Sequence, residues 1–122
     1  MASNSVIRRT LLLLLFGAFA LPVHAASLAT TSLSGVKAFP NPWKADKHAN
    51  MSITFNGMPA ASVIKIFTVS ASEVKQLSAD STGTALWDRT NDSGELVASG
   101  VYIYLIIDPQ GNQTSGKVAI IK

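Results

Sequence analysis

After residue 35 the hydrophobic positions recur mostly at every second residue, the period of a half-buried β-strand rather than of a helix. In residues 51–56, Met51, Ile53 and Phe55 fall on one side and Ser52, Thr54 and Asn56 on the other. Residues 62–69 repeat the pattern, with Ile64 and Ile66 inward and Lys65 outward. Further strands are predicted over 36–39, 73–77, 84–88, 100–108 and 116–122, the last with Val118 and Ile120 on one face. Turn-forming residues separate them at 57–61, 70–72, 80–83, 89–94 and 108–112. Pro40-Asn41-Pro42 excludes a helix and a central strand, leaving an edge or a rigid turn. The polar residues 44–50 read as a loop. No segment sustains a helical period. Seven short strands with turns every eight to twelve residues predict an all-β antiparallel sandwich.

The stretch from Leu86 to Ile107 organises the domain. Trp87 and Asp88 lead into the polar turn Asn91-Asp92-Ser93-Gly94, and Gly100 opens the longest β-forming run after residue 35. Tyr102, Tyr104 and Ile106 share one face of that run, while Val101, Ile103, Leu105 and Ile107 share the other. A strand apolar on both faces is central, and its outer face is covered either by a loop of the same chain or by another domain or subunit.

The N-terminus reads differently. Arg8 and Arg9 precede an apolar run over residues 10–21 with five consecutive leucines; Pro22 breaks it, and Val23-His24-Ala25 follows. This is the pattern of a secretory signal peptide over 1–25, with an apolar core short of the roughly 20 residues that span a bilayer. Residues 26–35 are rich in Ala, Ser and Thr and read as a flexible lead-in, so the sandwich domain is expected over 36–122. Setting the leader aside lowers the net charge from +3 to +1, with eight Lys and Arg against seven Asp and Glu. No basic run survives to bind nucleic acid, and no membrane span is expected once the leader is removed. There is no cysteine, so the fold rests on its apolar core rather than on disulfides.

Four motifs in order resemble a known family. They are Pro40-Asn41-Pro42-Trp43, then 64–70 (IKIFTVS), then Trp87-Asp88 with Asn91-Asp92-Ser93-Gly94, then 98–104 (ASGVYIY). Together with the closing 116–122 (GKVAIIK), they are similar to the FlgD-type immunoglobulin-like domain and to the related C-terminal sorting domains of the type IX secretion system. The resemblance covers residues 36–122. It implies an immunoglobulin-like or fibronectin type III-like β-sandwich without catalysis, serving as a structural module or as a signal that takes proteins to the bacterial cell surface. Ala71 and Arg89 stand where the family often has glycine, so a positive φ at either position would carry strain. Ser99-Gly100-Val101-Tyr102 is similar to the tyrosine corner of Greek-key sandwiches, in which a tyrosine hydroxyl bonds back to upstream backbone.

Chemistry is sparse. His48 is the one histidine beyond the leader and sits in the polar 44–50 stretch, read as a solvated loop residue; no Cys/His zinc set exists. Asp88, Asn91, Asp92 and Glu95 form an acidic cluster, but Ser93 and Ser99 occupy the positions where a calcium loop needs glycine and a bidentate Glu. Turn formation accounts for these side chains, with a loose calcium site at Asp88 and Asp92 as the lesser alternative. Trp43 and Trp87 are expected to pack in the core, with sugar stacking as the lesser alternative. The expectation is an exported non-enzymatic module, secreted or at the cell surface, with no cofactor and no metal. It acts by contact with secretion machinery or an envelope assembly. A small scaffold subunit of the envelope or flagellar-hook type is the first alternative, and a carbohydrate-binding module the second.

Overall fold

A computed structural model describes residues 33–122. The expected leader over 1–25 and most of the lead-in lie outside the described residues. Eight strands and one short helix follow in order: β1 (Lys37–Phe39), β2 (Trp43–Lys44), α1 (Ala45–His48), β3 (Ile53–Asn56), β4 (Val63–Thr68), β5 (Glu73–Ser78), β6 (Ala85–Trp87), β7 (Gly100–Ile107) and β8 (Gln113–Ile121). They form a three-stranded sheet, β1-β3-β6, and a five-stranded sheet, β2-β8-β7-β4-β5. All pairings are antiparallel except β2 with β8, which is parallel. This is an all-β, immunoglobulin-like sandwich.

The alternation read from the sequence sets the core. Ile53 and Phe55 on β3 and Ile64 and Ile66 on β4 are fully buried, as are Trp87 and Ile106. Val118 and Ile120 of β8 join the same cluster. Each such side chain contributes about 1.5–3 kcal/mol by leaving water. Leu33, read as part of the lead-in, is buried in this core too, and the chain turns after it through a Val36 N–H bond to the Leu33 carbonyl.

Several local expectations are corrected. Met51 does not face the core with Ile53 and Phe55: it lies before β3, its N–H bonds the His48 carbonyl, and its side chain is exposed. Residues 44–50 are not all loop, because α1 forms within them. His48 is half-buried rather than solvated, and its Nδ1 accepts the Lys44 N–H at 2.9 Å. An eighth strand, β2, appears where two residues pair with Ile120 and Ile121, far downstream in the sequence. β8 begins at Gln113 rather than at residue 116, because the Asp108 N–H to Asn112 carbonyl bond closes the turn early.

Candidate functional site

β7 places the two tyrosines against the core. The Tyr102 ring meets Trp87 edge to face, with centroids 5.7 Å apart, and its hydroxyl donates to the Ala98 carbonyl at 2.7 Å. Burial pushes the Tyr102 hydroxyl above its ordinary pKa. Tyr104 meets Phe55 edge to face at 5.1 Å and lies over Gly116 of β8, where a Cβ would overlap the tyrosine ring. Both tyrosines therefore join the two sheets across their interior.

The tryptophans take similar roles from opposite sheets. Trp87 is fully buried and its Nε1 donates to the Thr90 carbonyl at 2.8 Å. Trp43 is 3% exposed and its Nε1 donates to the Met51 carbonyl at 2.8 Å. The alternative of a sugar platform is corrected here, since stacking needs an open ring face and neither ring presents one. The guanidinium of Arg89 lies 4.0 Å from the centroid of the Trp43 ring. Arg89 has φ +69° and Ala71 has φ +70°, so both non-glycine residues at glycine-like positions adopt the left-handed region. The Arg89 Nε is buried without a hydrogen-bond partner.

The acidic loop after β6 is organised by its own backbone. Asp88 Oδ1 accepts the Thr90 N–H at 3.2 Å and the Thr90 hydroxyl, and the hydroxyl bond holds its carboxyl below the usual range. Asn91 Oδ1 accepts the N–H groups of Ser93 and Glu95, both at 2.9 Å. The Asp92 N–H donates to the Val74 carbonyl, tying the loop to β5. Gly94, with φ +84°, takes the left-handed step that closes the turn onto the Asn91 carbonyl. Two other turns use the same device. Asp80 Oδ1 accepts from the N–H groups of Thr82 and Thr84, and Asp108 Oδ1 accepts from those of Gln110 and Asn112. Hydrogen bonds, first from the Thr82 hydroxyl and the Asn112 amide respectively, lower both pKa values. These carboxylate oxygens cap backbone donors in one loop each, and among the described residues no three His, Cys, Asp or Glu converge as metal ligands.

The surface left open is the outer face of the five-stranded sheet. Gly100 starts β7, and beyond it Val101 is 44% exposed while Ile103, Leu105 and Ile107 are half-buried. The expectation of a covering loop is corrected: among the described residues this face stays partly open. Register brings Phe67 of β4 opposite Ile103 and Ala119 of β8 opposite Val101. Val69, 70% exposed, and Ile121, 48% exposed, extend the apolar area. A shallow groove of about 210 Å³ runs between Phe67, Val69, Ala71 and Ile103. Lys65, opposite Leu105, and Lys117, opposite Ile103, stand beside it. Periodicity located the apolar side of β7 but not the neighbours that widen it, because those come from strands distant in the chain.

No protein-family profile matches the chain, and no curated protein matches it in sequence. Among solved structures it is similar to CopC from Methylosinus trichosporium OB3b, at 16% identity and a TM-score of 0.42 over 70% of this chain and 90% of that one. It is also similar to dimeric latent PorU from Porphyromonas gingivalis, at 24% identity and a TM-score of 0.49 over 70% of this chain and 9% of that one. A third similarity is to PorZ, an essential bacterial surface component of the type IX secretion system of Porphyromonas gingivalis, at 27% identity and a TM-score of 0.67. That match covers 79% of this chain but only 13% of PorZ, so the chain resembles one region of a much longer type IX secretion protein.

Proposed function

We propose that this chain is an exported, non-enzymatic immunoglobulin-like module that works by protein contact at the bacterial cell surface, as a sorting or surface-attachment domain of the type IX kind. The observation that carries this reading is the similarity to a region of PorZ, in which sequence identity accompanies the shared fold over most of the chain. The leader pattern over residues 1–25 agrees with export. The finer relation to the FlgD-type domain belongs to the proposal and rests on the motif order around Pro40–Trp43, Trp87–Gly94 and 98–104. The non-enzymatic reading is supported by what the acidic side chains do, since Asp80, Asp88 and Asp108 each spend an oxygen on backbone donors of their own loop.

Contact with a partner is assigned to the outer face of β4, β7 and β8 around Val69, Val101 and Ile103. The same face favours a second reading, a small scaffold subunit of an envelope assembly. Fractionation of the native bacterium, with protease added to intact cells, tests the surface role. The reading predicts a pool that is cut without lysis; protein confined to the periplasm and protected until lysis would overturn it.

A further inference from the structure

The two sheets have four edges, and they are not alike. β1 and β6 are three residues long each. β5 is longer, but the Asp92 N–H bonds its Val74 carbonyl, and a register shift interrupts its pairing with β4 beside Phe67. β8 is the longest strand, at nine residues, and β2 pairs with only Ile120 and Ile121 on its outer side. The Asn41 side chain covers the next two positions. Its Nδ2 donates to the Lys117 carbonyl at 2.9 Å, and its Oδ1 accepts the Ala119 N–H at 3.1 Å. These contacts fix the phase of the strand. Odd-numbered residues of β8 direct their N–H and C=O groups away from β7, as alternation in an antiparallel ladder requires. Gln113 and Ser115 therefore turn both backbone groups outward, along with the Lys117 N–H, and among the described residues no strand pairs with them.

Charge is spread unevenly over the sandwich. Lys37, Lys44, Lys47, Lys117 and Lys122 lie on β1, β2, α1 and β8 or directly after it, with Asp46 the one acidic residue there. Glu73, Asp88, Asp92 and Glu95 lie on β5 and in the loop between β6 and β7, with Lys75 and Arg89 the basic residues there. Lys117 lies on the open edge itself, and Lys44, paired beside Ile121, and Lys122 lie farther along the same side of β8. Basic charge along that edge favours a strand of opposite charge, since complementary potentials speed encounter and exclude wrong partners.

We propose that the free edge of β8 at Gln113–Lys117 is a strand-addition site for an extended acidic segment of a partner protein, with Asn41 marking where the added strand stops. Main-chain hydrogen bonds to Gln113 and Ser115 supply the pairing, and Lys117, with Lys44 and Lys122 farther along, selects the charge. The added strand widens the sheet whose outer apolar face was assigned above to protein contact, so this inference rests on that reading and names the kind of partner.

The probe is a synthetic peptide of alternating Thr and Val flanked by Glu, with a Lys-flanked counterpart as control, titrated into the isotope-labelled protein. Backbone amide signals of Gln113, Ser115 and Lys117 are expected to shift and gain exchange protection with the acidic peptide and not with the basic one. Ser115→Pro removes one outward donor without touching the β7 ladder, as proline allows on an edge, and is expected to abolish binding with the thermal midpoint preserved. Lys117→Glu keeps every backbone group and is expected to weaken binding about fivefold. Equal binding of both peptides, shifts centred on β5 or the 88–95 loop, or unchanged affinity in Ser115→Pro would each overturn the site. Sedimentation showing dimers without peptide would give the edge to a second copy and overturn the partner strand. A surface-exposed protein with a silent edge removes only this inference, whereas a periplasmic one removes the surface role whatever the edge binds.

Discussion

Arg89→Gly and Arg89→Ala together separate two effects that meet at one residue. Arg89 holds φ +69°, a left-handed conformation that costs a residue with a Cβ about 1–2 kcal/mol. Its guanidinium sits 4.0 Å from the Trp43 ring centroid, a contact between sheets worth about 0.5–2 kcal/mol depending on how dry it is. Its Nε is buried without a partner, a cost that both substitutions remove equally. The difference between the two variants therefore isolates the backbone. Glycine is expected to be more stable than alanine by about 1 kcal/mol, after the extra flexibility of unfolded glycine is allowed for. In a domain of this size that is a thermal midpoint about 4–8 °C higher for Arg89→Gly. Circular dichroism melts, with urea titrations to confirm that the slope is unchanged, measure it. A cycle of Arg89→Ala with Trp43→Phe then reads the ring contact as a coupling of about 0.5 kcal/mol or more. Alanine equalling glycine would refute the strain, and zero coupling would refute the contact.

Three further outcomes follow from the same geometry. Tyr102→Phe loses the 2.7 Å bond to the Ala98 carbonyl and is expected to cost about 1 kcal/mol, lowering the midpoint by about 4–8 °C; an unchanged melt removes the tyrosine-corner assignment. The lowered pKa values of Asp80, Asp88 and Asp108 mean that the unfolded chain takes up protons first as pH falls, so their contribution is intact above the unfolded value of about 3.9 and is lost below it. Melts at pH 7 and pH 5 should agree in this respect and decline below about pH 4, and the decline should shrink in Asp88→Asn. Ile103→Lys places a charge on the half-exposed outer face and should leave the melt within about 4 °C of the original while reducing retention at the cell surface, read by fractionation.

The layout of the sheets was legible wherever one residue type alternated with another over four or more positions. Ile53 with Phe55, Ile64 with Ile66, and Val118 with Ile120 all pointed to the face they occupy. What escaped was short or depended on distant sequence. α1 has four residues, too few for a helical period to register. β2 exists only because Ile120 and Ile121 lie beside it. Met51 extended the alternation of β3 in sequence, yet the turn from His48 ends before the ladder begins. The polar start of β8 reads as loop because an edge strand needs few apolar residues. Asn41 gives no local sign of its role, since its partners are 76 and 78 residues away. Arg89 did leave a signal, because a non-glycine residue at a glycine-like turn position pointed to strain; its ring partner Trp43 did not. The acidic loop was legible as turn chemistry, whereas for the β7 outer face periodicity left both a covering loop and a partner open, because it carries no information on which distant segments lie over a strand.

The claim that the module acts through the outer face of β7 meets its most direct test in site-specific photocrosslinking in the native bacterium. A photoreactive residue at Ile103 lies on that face, and one at Leu86, 60% exposed on the other sheet, serves as the control. The account predicts discrete protein adducts from position 103 that are absent from position 86. Identical adduct patterns at the two positions, or none at 103 in cells that carry the protein on their surface, would contradict it.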